Sequence, residues 1–266
     1  MNRRQCICTL LLLLASMPAL ADEAKKDEKK ELALAGVWKG SYSYPDGAMP
    51  DVDFEAVLLL DGAKLTGLTR EANTFGLTDD PWLHATLKGD YDPETRKFSL
   101  TKTYDGTSGV MHDVTYTGTF KVDGSGTEAG MWDIGGFGGT FKLTKDATVK
   151  PGKLTGLWKG TNDPPKGSEI PKVELSMILF HQGDDIIGFV KEPRASPDGS
   201  NPWFHARIKG TFDEKSGEIK FTKTYDGTAK ATTEEKYTGK FDDEQLSGQR
   251  KVGDNDSGTF TLKRAK

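Results

Sequence analysis

Lys102 and Lys223 sit where a β-strand would turn them away from water. Phe98, Leu100, Lys102 and Tyr104 share one parity, as do Phe221, Lys223 and Tyr225, and side chains of one parity line one face of a strand. A lysine on a buried face needs an acceptor, because an unpaired charge in an apolar interior is costly. Leu65, Gly67, Thr69 and Glu71 form another set of one parity, and Glu192 is the counterpart of Glu71. The spacing therefore predicts inward Lys102–Glu71 and Lys223–Glu192 pairs, serving either as a structural plug or as one wall of a ligand site. The candidate ligand-binding set is Glu71, Lys102, Tyr104, Tyr116, Trp132, Glu192, Lys223, Tyr225 and Tyr237.

The histidines have a different expectation. His84 runs with Thr86 and Lys88, and His205 with Arg207 and Lys209, so both belong on an outer face. Packing there suits them better than acid–base catalysis. Trp82 and Trp203 share that parity, and Leu68 and Phe189 are apolar at outward positions, which fits a contact between two folded units. Asp105-Gly106 and Asp226-Gly227 read as turn chemistry, with Gly taking positive φ and Asp closing an Asx turn. Asp254-Asn255-Asp256-Ser257-Gly258 lacks the spacing and terminal Glu of a calcium loop. No His/Cys cluster suits zinc, and no Ser-His-Asp set, phosphate loop or dinucleotide fingerprint occurs. The expectation is no catalytic residue, no metal and no cofactor.

The elements that hold these residues come in duplicate. KTYDGT stands at both Lys102–Thr107 and Lys223–Thr228. Gly36-Val-Trp-Lys-Gly40 answers Gly156-Leu-Trp-Lys-Gly160, Pro81-Trp-Leu-His-Ala85 answers Pro202-Trp-Phe-His-Ala206, and Gly139-Thr-Phe141 answers Gly258-Thr-Phe260. Repeat one is placed at 36–145 and repeat two at 156–266, with a linker at 146–155. The first repeat shows strand signals near 36–42, 52–60, 64–71, 83–91, 96–104, 113–121, 127–134 and 139–145. Several alternate cleanly, as in Val52, Phe54, Ala56, Leu58 and Leu60. The expected fold is all-β, with two tandem eight-stranded antiparallel up-and-down β-barrels, which remove exposed edges by closing; a sandwich is the alternative. Tight turns such as Asp61-Gly62 and Asp123-Gly124 gather at one end of each barrel. Loops 43–51, 72–82, 105–112 and 134–138 form an elaborated rim at the other.

Residues 1–21 read as a signal peptide. Arg3 and Arg4 precede an apolar run from Ile7 to Met17, and Ala19-Leu20-Ala21 offers a small-x-small cleavage site. The run is too short to span a membrane. Cys6 and Cys8 precede the cleavage site, so the mature chain is expected to lack thiol chemistry. Residues 22–35 open with the run DEAKKDEKKE and read as a charged flexible spacer. The formal net charge is −4, with Lys and Arg scattered among acids, which gives no basic stripe for nucleic acid. The expected location is exported, periplasmic or secreted.

The order of these motifs resembles the avidin and streptavidin group within the lipocalin-like barrels. The carriers are G-x-W (Gly36-Val-Trp38, Gly156-Leu-Trp158), Leu65-Thr-Gly67, Tyr116-Thr-Gly-Thr-Phe120 and Trp132. The resemblance implies biotin binding through an Asn two residues after the first Trp, a Tyr and Ser on strand three, and lumenal Trp residues. Here Gly40 and Gly160 stand at the first position, Thr69 and Glu71 at the second, and Tyr116 and Tyr237 where a Trp is expected. Trp132 matches, but repeat two has Lys251 near that place. Biotin is therefore not the expected ligand. Three readings follow. The first is a non-enzymatic binding protein holding a small polar or anionic ligand in a barrel mouth, with the first barrel favoured for its aromatic rim of Phe75, His112 and Trp132. The second is an envelope interaction or inhibitor module with filled barrels, its partner another protein or a second copy at the outer face. The third is a lipocalin-like enzyme using Lys102, Tyr104, Glu71 or His84. Fold alone does not choose among them.

Overall fold

The computed structural model describes residues 34–145, 151–169, 171–195, 201–242, 244–253 and 256–265. The expected signal peptide and charged run lie outside them. The first barrel comprises β1 (Gly36–Ser43), β2 (Val52–Asp61), β3 (Lys64–Ala72), β4 (Trp82–Tyr91), β5 (Lys97–Tyr104), β6 (Asp113–Phe120), β7 (Thr127–Ile134) and β8 (Phe137–Lys145). The second comprises β9 (Gly156–Asp163), β10 (Val173–Gln182), β11 (Asp185–Pro193), β12 (Trp203–Phe212), β13 (Glu218–Tyr225), β14 (Glu234–Asp242), β15 (Gln245–Val252) and β16 (Asp256–Arg264). Within each barrel every strand pairs antiparallel with the next, and β1–β8 and β9–β16 pairing closes the two sheets. This is the all-β tandem-barrel fold expected from the alternation. No helix among the described residues is long and apolar enough to cross a membrane.

Strand β5 shows why the sheet closes. Its exposure alternates strictly, with Phe98, Leu100, Lys102 and Tyr104 buried and the residues between them exposed. A facing sheet or an enclosed lumen can bury such a face, and the β1–β8 pairing makes it a lumen here. The floors carry the largest fully buried side chains, Trp38 and Trp158. Each indole N–H donates to a carbonyl four residues earlier, Leu34 at 3.1 Å and Leu154 at 2.9 Å. Leu34 and Leu154 are buried, although the sequence reading left them in spacer and linker. At Gly40 an added Cβ would lie 2.2 Å from the Phe54 ring. Glycine there lets Phe54 occupy the lumen where the avidin pattern calls for a ligand-binding Asn.

The two barrels pack through their outer faces with approximate two-fold symmetry. Val57 of the first barrel joins Ile178, Phe180 and Phe189 of the second in an apolar cluster, with Leu68 packed against it. On the axis the His84 and His205 rings stack at 3.6 Å and 5°. The KTYDGT loops cross over: Asp226 meets His84 at 3.0 Å, and Asp105 meets His205 at 3.0 Å. Lys191 adds a 3.0 Å contact to Asp105, and Arg70 a 3.9 Å contact to Asp226. Arg70 also stacks on Trp82 and Lys191 on Trp203. The outward positions of both histidines and both tryptophans thus serve an intramolecular seam.

Candidate functional site

The predicted Lys–Glu pairs form in both lumens. In the first barrel Lys102 donates to Glu71 and, at 2.9 Å, to the Tyr104 hydroxyl, and both are almost fully buried. Tyr104 and Tyr42 donate to the other Glu71 oxygen. Burial pushes the Lys102 ammonium down from its ordinary pKa, against the opposing pull of Glu71. Burial, reinforced by the Glu71 charge, holds the Tyr104 and Tyr42 phenols far above theirs. Tyr116 packs edge-on against Phe141 at 4.9 Å. Trp132 donates from Nε1 to the Ser43 carbonyl at 3.0 Å and meets Tyr42 and Tyr44 edge-on. The aromatic rim expected to frame a ligand thus packs on itself and on the mouth. Below it lies a cavity of about 20 Å³, room for a single water.

The second barrel holds the same pair in a different wall. Lys223 contacts Glu192 and, at 2.9 Å, Glu235. Tyr225 donates to Glu192, and Tyr237 to Glu235 at 2.6 Å. Arg250 adds bonds to both Glu235 oxygens, at 3.0 and 3.2 Å. Burial would raise the Glu235 carboxyl, but Arg250, Lys223 and Tyr237 together hold it at about 2. Strand register explains the change. Lys102 faces Val114 across β5–β6, whereas Lys223 faces Glu235; Tyr116 faces Trp132, whereas Tyr237 faces Arg250. Tyr42, four residues after Trp38, is answered by Asn162, four after Trp158. Three bulky or apolar groups have become Asn162, Glu235 and Arg250.

The exchange opens the mouth. A pocket of about 80 Å³ is lined by Asn162, Val173, Glu192, Tyr225, Glu235 and Arg250, with Pro164 and Pro171 at its lip. Asn162 is 6% exposed, and its Nδ2 donates to Tyr237 at 2.9 Å. Its Oδ1 is buried without a hydrogen-bond partner. Of the sequence candidates, Glu192 and Tyr225 line this pocket, and Lys223 and Tyr237 hold its wall from behind. Glu71, Lys102, Tyr104, Tyr116 and Trp132 meet in the closed first lumen. Asn162, Glu235 and Arg250 escaped the sequence reading. The signal was present for Glu235, which has the parity of Tyr237, and for Asn162, which has that of Trp158.

Two other concavities frame the choice. The inter-barrel seam encloses about 10 Å³ beside His84 and His205, at most one water. An open groove of about 530 Å³ runs along the outer wall of the first barrel past Lys39, Asp53, Glu55, Arg70, Trp82 and Lys142. Its Arg70 is already held by Glu55 at 3.1 Å. The seam also fixes both histidines away from solvent. Burial, the neighbouring His84 ring and the counter-pull of Asp105 leave His205 with a pKa of about 4. Burial would raise the Asp105 carboxyl, but its partners His205 and Lys191 keep it well below the usual range. The Thr107 hydroxyl also donates to Asp105, at 2.7 Å. No group of three metal-ligating side chains occurs among the described residues.

No family model and no curated protein matches the chain. Among solved structures it is similar to the Aeromonas veronii immune modulator A, at 13% identity over 91% of this chain and 100% of that one, with a TM-score of 0.27. An outer-membrane protein candidate from Bacteroides fragilis aligns at 13% identity over 89% and 99%, with a TM-score of 0.26. Kievitone hydratase from Nectria haematococca aligns at 9% identity over 90% and 92%, with a TM-score of 0.22. Likenesses at these scores carry no argument about what this chain does.

Proposed function

We propose that this is an exported, non-enzymatic binding protein of avidin- and lipocalin-like barrels, and that its small-molecule site is the mouth of the second barrel. The observation that carries the reading is the orphaned, buried Asn162 Oδ1 in the wall of an 80 Å³ pocket. Lys223, Tyr225, Tyr237 and the Arg250 Nε and Nη2 groups point at Glu192 or Glu235. An occupant bringing N–H or O–H donors of its own would satisfy the Asn162 oxygen. Two carboxylates already face two cations, so a further anion gains little. The site suits a compact neutral or cationic donor filling roughly five to seven water-sized positions, such as a small amine, urea or polyol. The leader-like residues 1–21 support export. The titratable groups of both lumens are locked onto one another, which supports binding rather than turnover.

Native mass spectrometry of the chain from its own host would reveal a retained ligand. A thermal-shift panel of small amines, ureas, polyols and organic acids at millimolar concentration extends the test. A ligand present at 100 times its Kd should stabilise by about 2.7 kcal/mol. The gain should vanish in Asn162→Leu, which fills the pocket and removes the acceptor, and survive Trp132→Phe. A panel without any shift, or one whose shift is lost in Trp132→Phe but kept in Asn162→Leu, would refute the assignment.

A further inference from the structure

The open end of the first barrel has a surface the second barrel lacks. Every strongly exposed large apolar side chain among the described residues belongs to the first repeat. Six come from its rim: Met49 at 47% exposed, Phe75 at 40%, Leu77 at 84%, Met111 at 77%, Ile134 at 38% and Phe137 at 49%. They rise from all four rim loops, between β1 and β2, β3 and β4, β5 and β6, and β7 and β8. Apolar side chains gathered this way on a soluble face mark an interaction site, whereas scattered single ones do not.

Charge says what covers them. The same loops carry Asp46, Asp51, Asp79, Asp113 and Asp133, all exposed, and no Lys or Arg. The matching loops of the second barrel are mixed in charge, with Lys166, Lys172, Arg194 and Lys230 beside Glu169, Asp198, Asp226 and Asp254. A surface both apolar and acidic is complementary to one both apolar and basic. It also repels an anionic lipid leaflet, which draws basic segments instead. The sealed lumen beneath removes entry to the barrel as the reason for the patch. The rim is also held in place. Asn73 bonds the Thr78 and Asp80 carbonyls and accepts from the Gly76 amide. Phe75 rests edge-on against Tyr104 at 5.8 Å, and Phe137 against Trp132 at 5.7 Å. A preordered surface loses less entropy on docking. The inner side of the β5–β6 loop is taken by the second barrel, since the Ser108 amide donates to Asn201 at 2.8 Å. Leu77 and Met111 remain outward.

We propose that this rim docks a cationic, amphipathic segment of a partner protein, with apolar side chains seated among the six and Lys or Arg opposite the aspartates. The probe is a synthetic amphipathic Lys/Leu peptide, titrated onto the full chain by fluorescence anisotropy at low and physiological salt. A Lys/Ser peptide of equal charge is the control. The Lys/Leu peptide should bind at least tenfold more tightly than Lys/Ser. Leu77→Asp with Met111→Asp should weaken it at least tenfold, although these changes add negative charge. Both side chains are far too exposed for the substitutions to threaten the fold. Asp79→Asn with Asp113→Asn should weaken it and flatten its salt dependence. Equal or tighter binding by the Leu77→Asp, Met111→Asp variant would reduce the effect to general electrostatics and overturn the proposal. So would the absence of Lys/Leu binding, or capture of phosphatidylcholine vesicles that the same variant abolishes.

Discussion

The stacked histidines predict how stability depends on pH. His205 is 6% exposed and its pKa falls from 6.5 to about 4. The cause is first burial and then the His84 ring 3.6 Å away, with Asp105 pulling the other way. Between those two values the unfolded chain binds a proton that the folded chain does not. Stability therefore rises with pH through that window, and is lost as pH falls from about 6.5 towards 4. A shift of two to three units corresponds to roughly 3 kcal/mol, with a slope of at most about 1.4 kcal/mol per pH unit for one proton. The other charged groups at the seam are Asp80, Asp105, Asp226, Glu55, Lys191, Arg70 and Arg207. All three aspartates are held below their ordinary 3.8, so their own contribution is lost only at lower pH. His112 is also lowered, by burial and by Lys102, so the absolute slope is not specific. The difference between wild type and His205→Gln is specific, because glutamine keeps a donor towards Asp105 and does not titrate. Urea unfolding at pH 7, 6, 5 and 4.5 should show wild type losing roughly 2.5 kcal/mol more than the variant over that range. Parallel curves for the two proteins would refute the assignment of a buried neutral His205.

Other perturbations separate structural from binding roles. Lys102→Met should cost about 2–4 kcal/mol in urea unfolding, since Glu71 keeps only its two tyrosine donors, and adding Glu71→Gln should recover at least half of it; a cost near zero would mean that the pair is not buried as described. Asn201→Asp should cost roughly 2–4 kcal/mol at pH 7, because it sets a carboxylate where Asn201 Nδ2 now donates to Asp80 at 2.8 Å. That cost should shrink as pH falls into the carboxyl range, opposite in sign to the His205 effect; a loss independent of pH would argue against a direct clash of the new carboxylate with Asp80.

Period-two alternation made the lumen legible. It placed Lys102 with Leu100 and Glu71 with Thr69, and closure of the sheet left them no other partners. It also sent His84, Trp82 and Leu68 outward correctly. It could not show what they meet there, because the partner of His84 is Asp226, in the other repeat. Asp105-Gly106 and Asp226-Gly227 read as turns, and they are: Gly106 and Gly227 both have φ near 95°, and Asp105 accepts from the Thr107 amide at 3.2 Å. Their carboxylates do a second job that needs the other barrel, and local spacing holds no trace of it. The packing of the first barrel's aromatic rim escaped local spacing for a related reason. Phe75, His112 and Trp132 are the right residues to line a mouth, but Tyr42 and Tyr44 lie within reach of Trp132 and fill it.

The two repeats differ least in the residues that make the fold and most at the open ends of their barrels. Trp38 and Trp158, Lys102 and Lys223, and His84 and His205 are equivalent in both type and position. At the axis the symmetry has to break. Pro81 answers Pro202, so Asp80 answers Asn201. Two identical copies would place carboxylate against carboxylate, or amide against amide. Instead Asp80 accepts from Asn201 at 2.8 Å and from the Ala229 amide at 2.7 Å. A duplicated chain can hold one of each, which a homodimer cannot. The same freedom let the lumens part, with Tyr42, Val114 and Trp132 closing one and Asn162, Glu235 and Arg250 opening the other. It also let one rim become apolar and acidic while the other became polar and mixed in charge. Covalent linkage of two barrels thus permits one to close and present a surface while its partner keeps an open mouth.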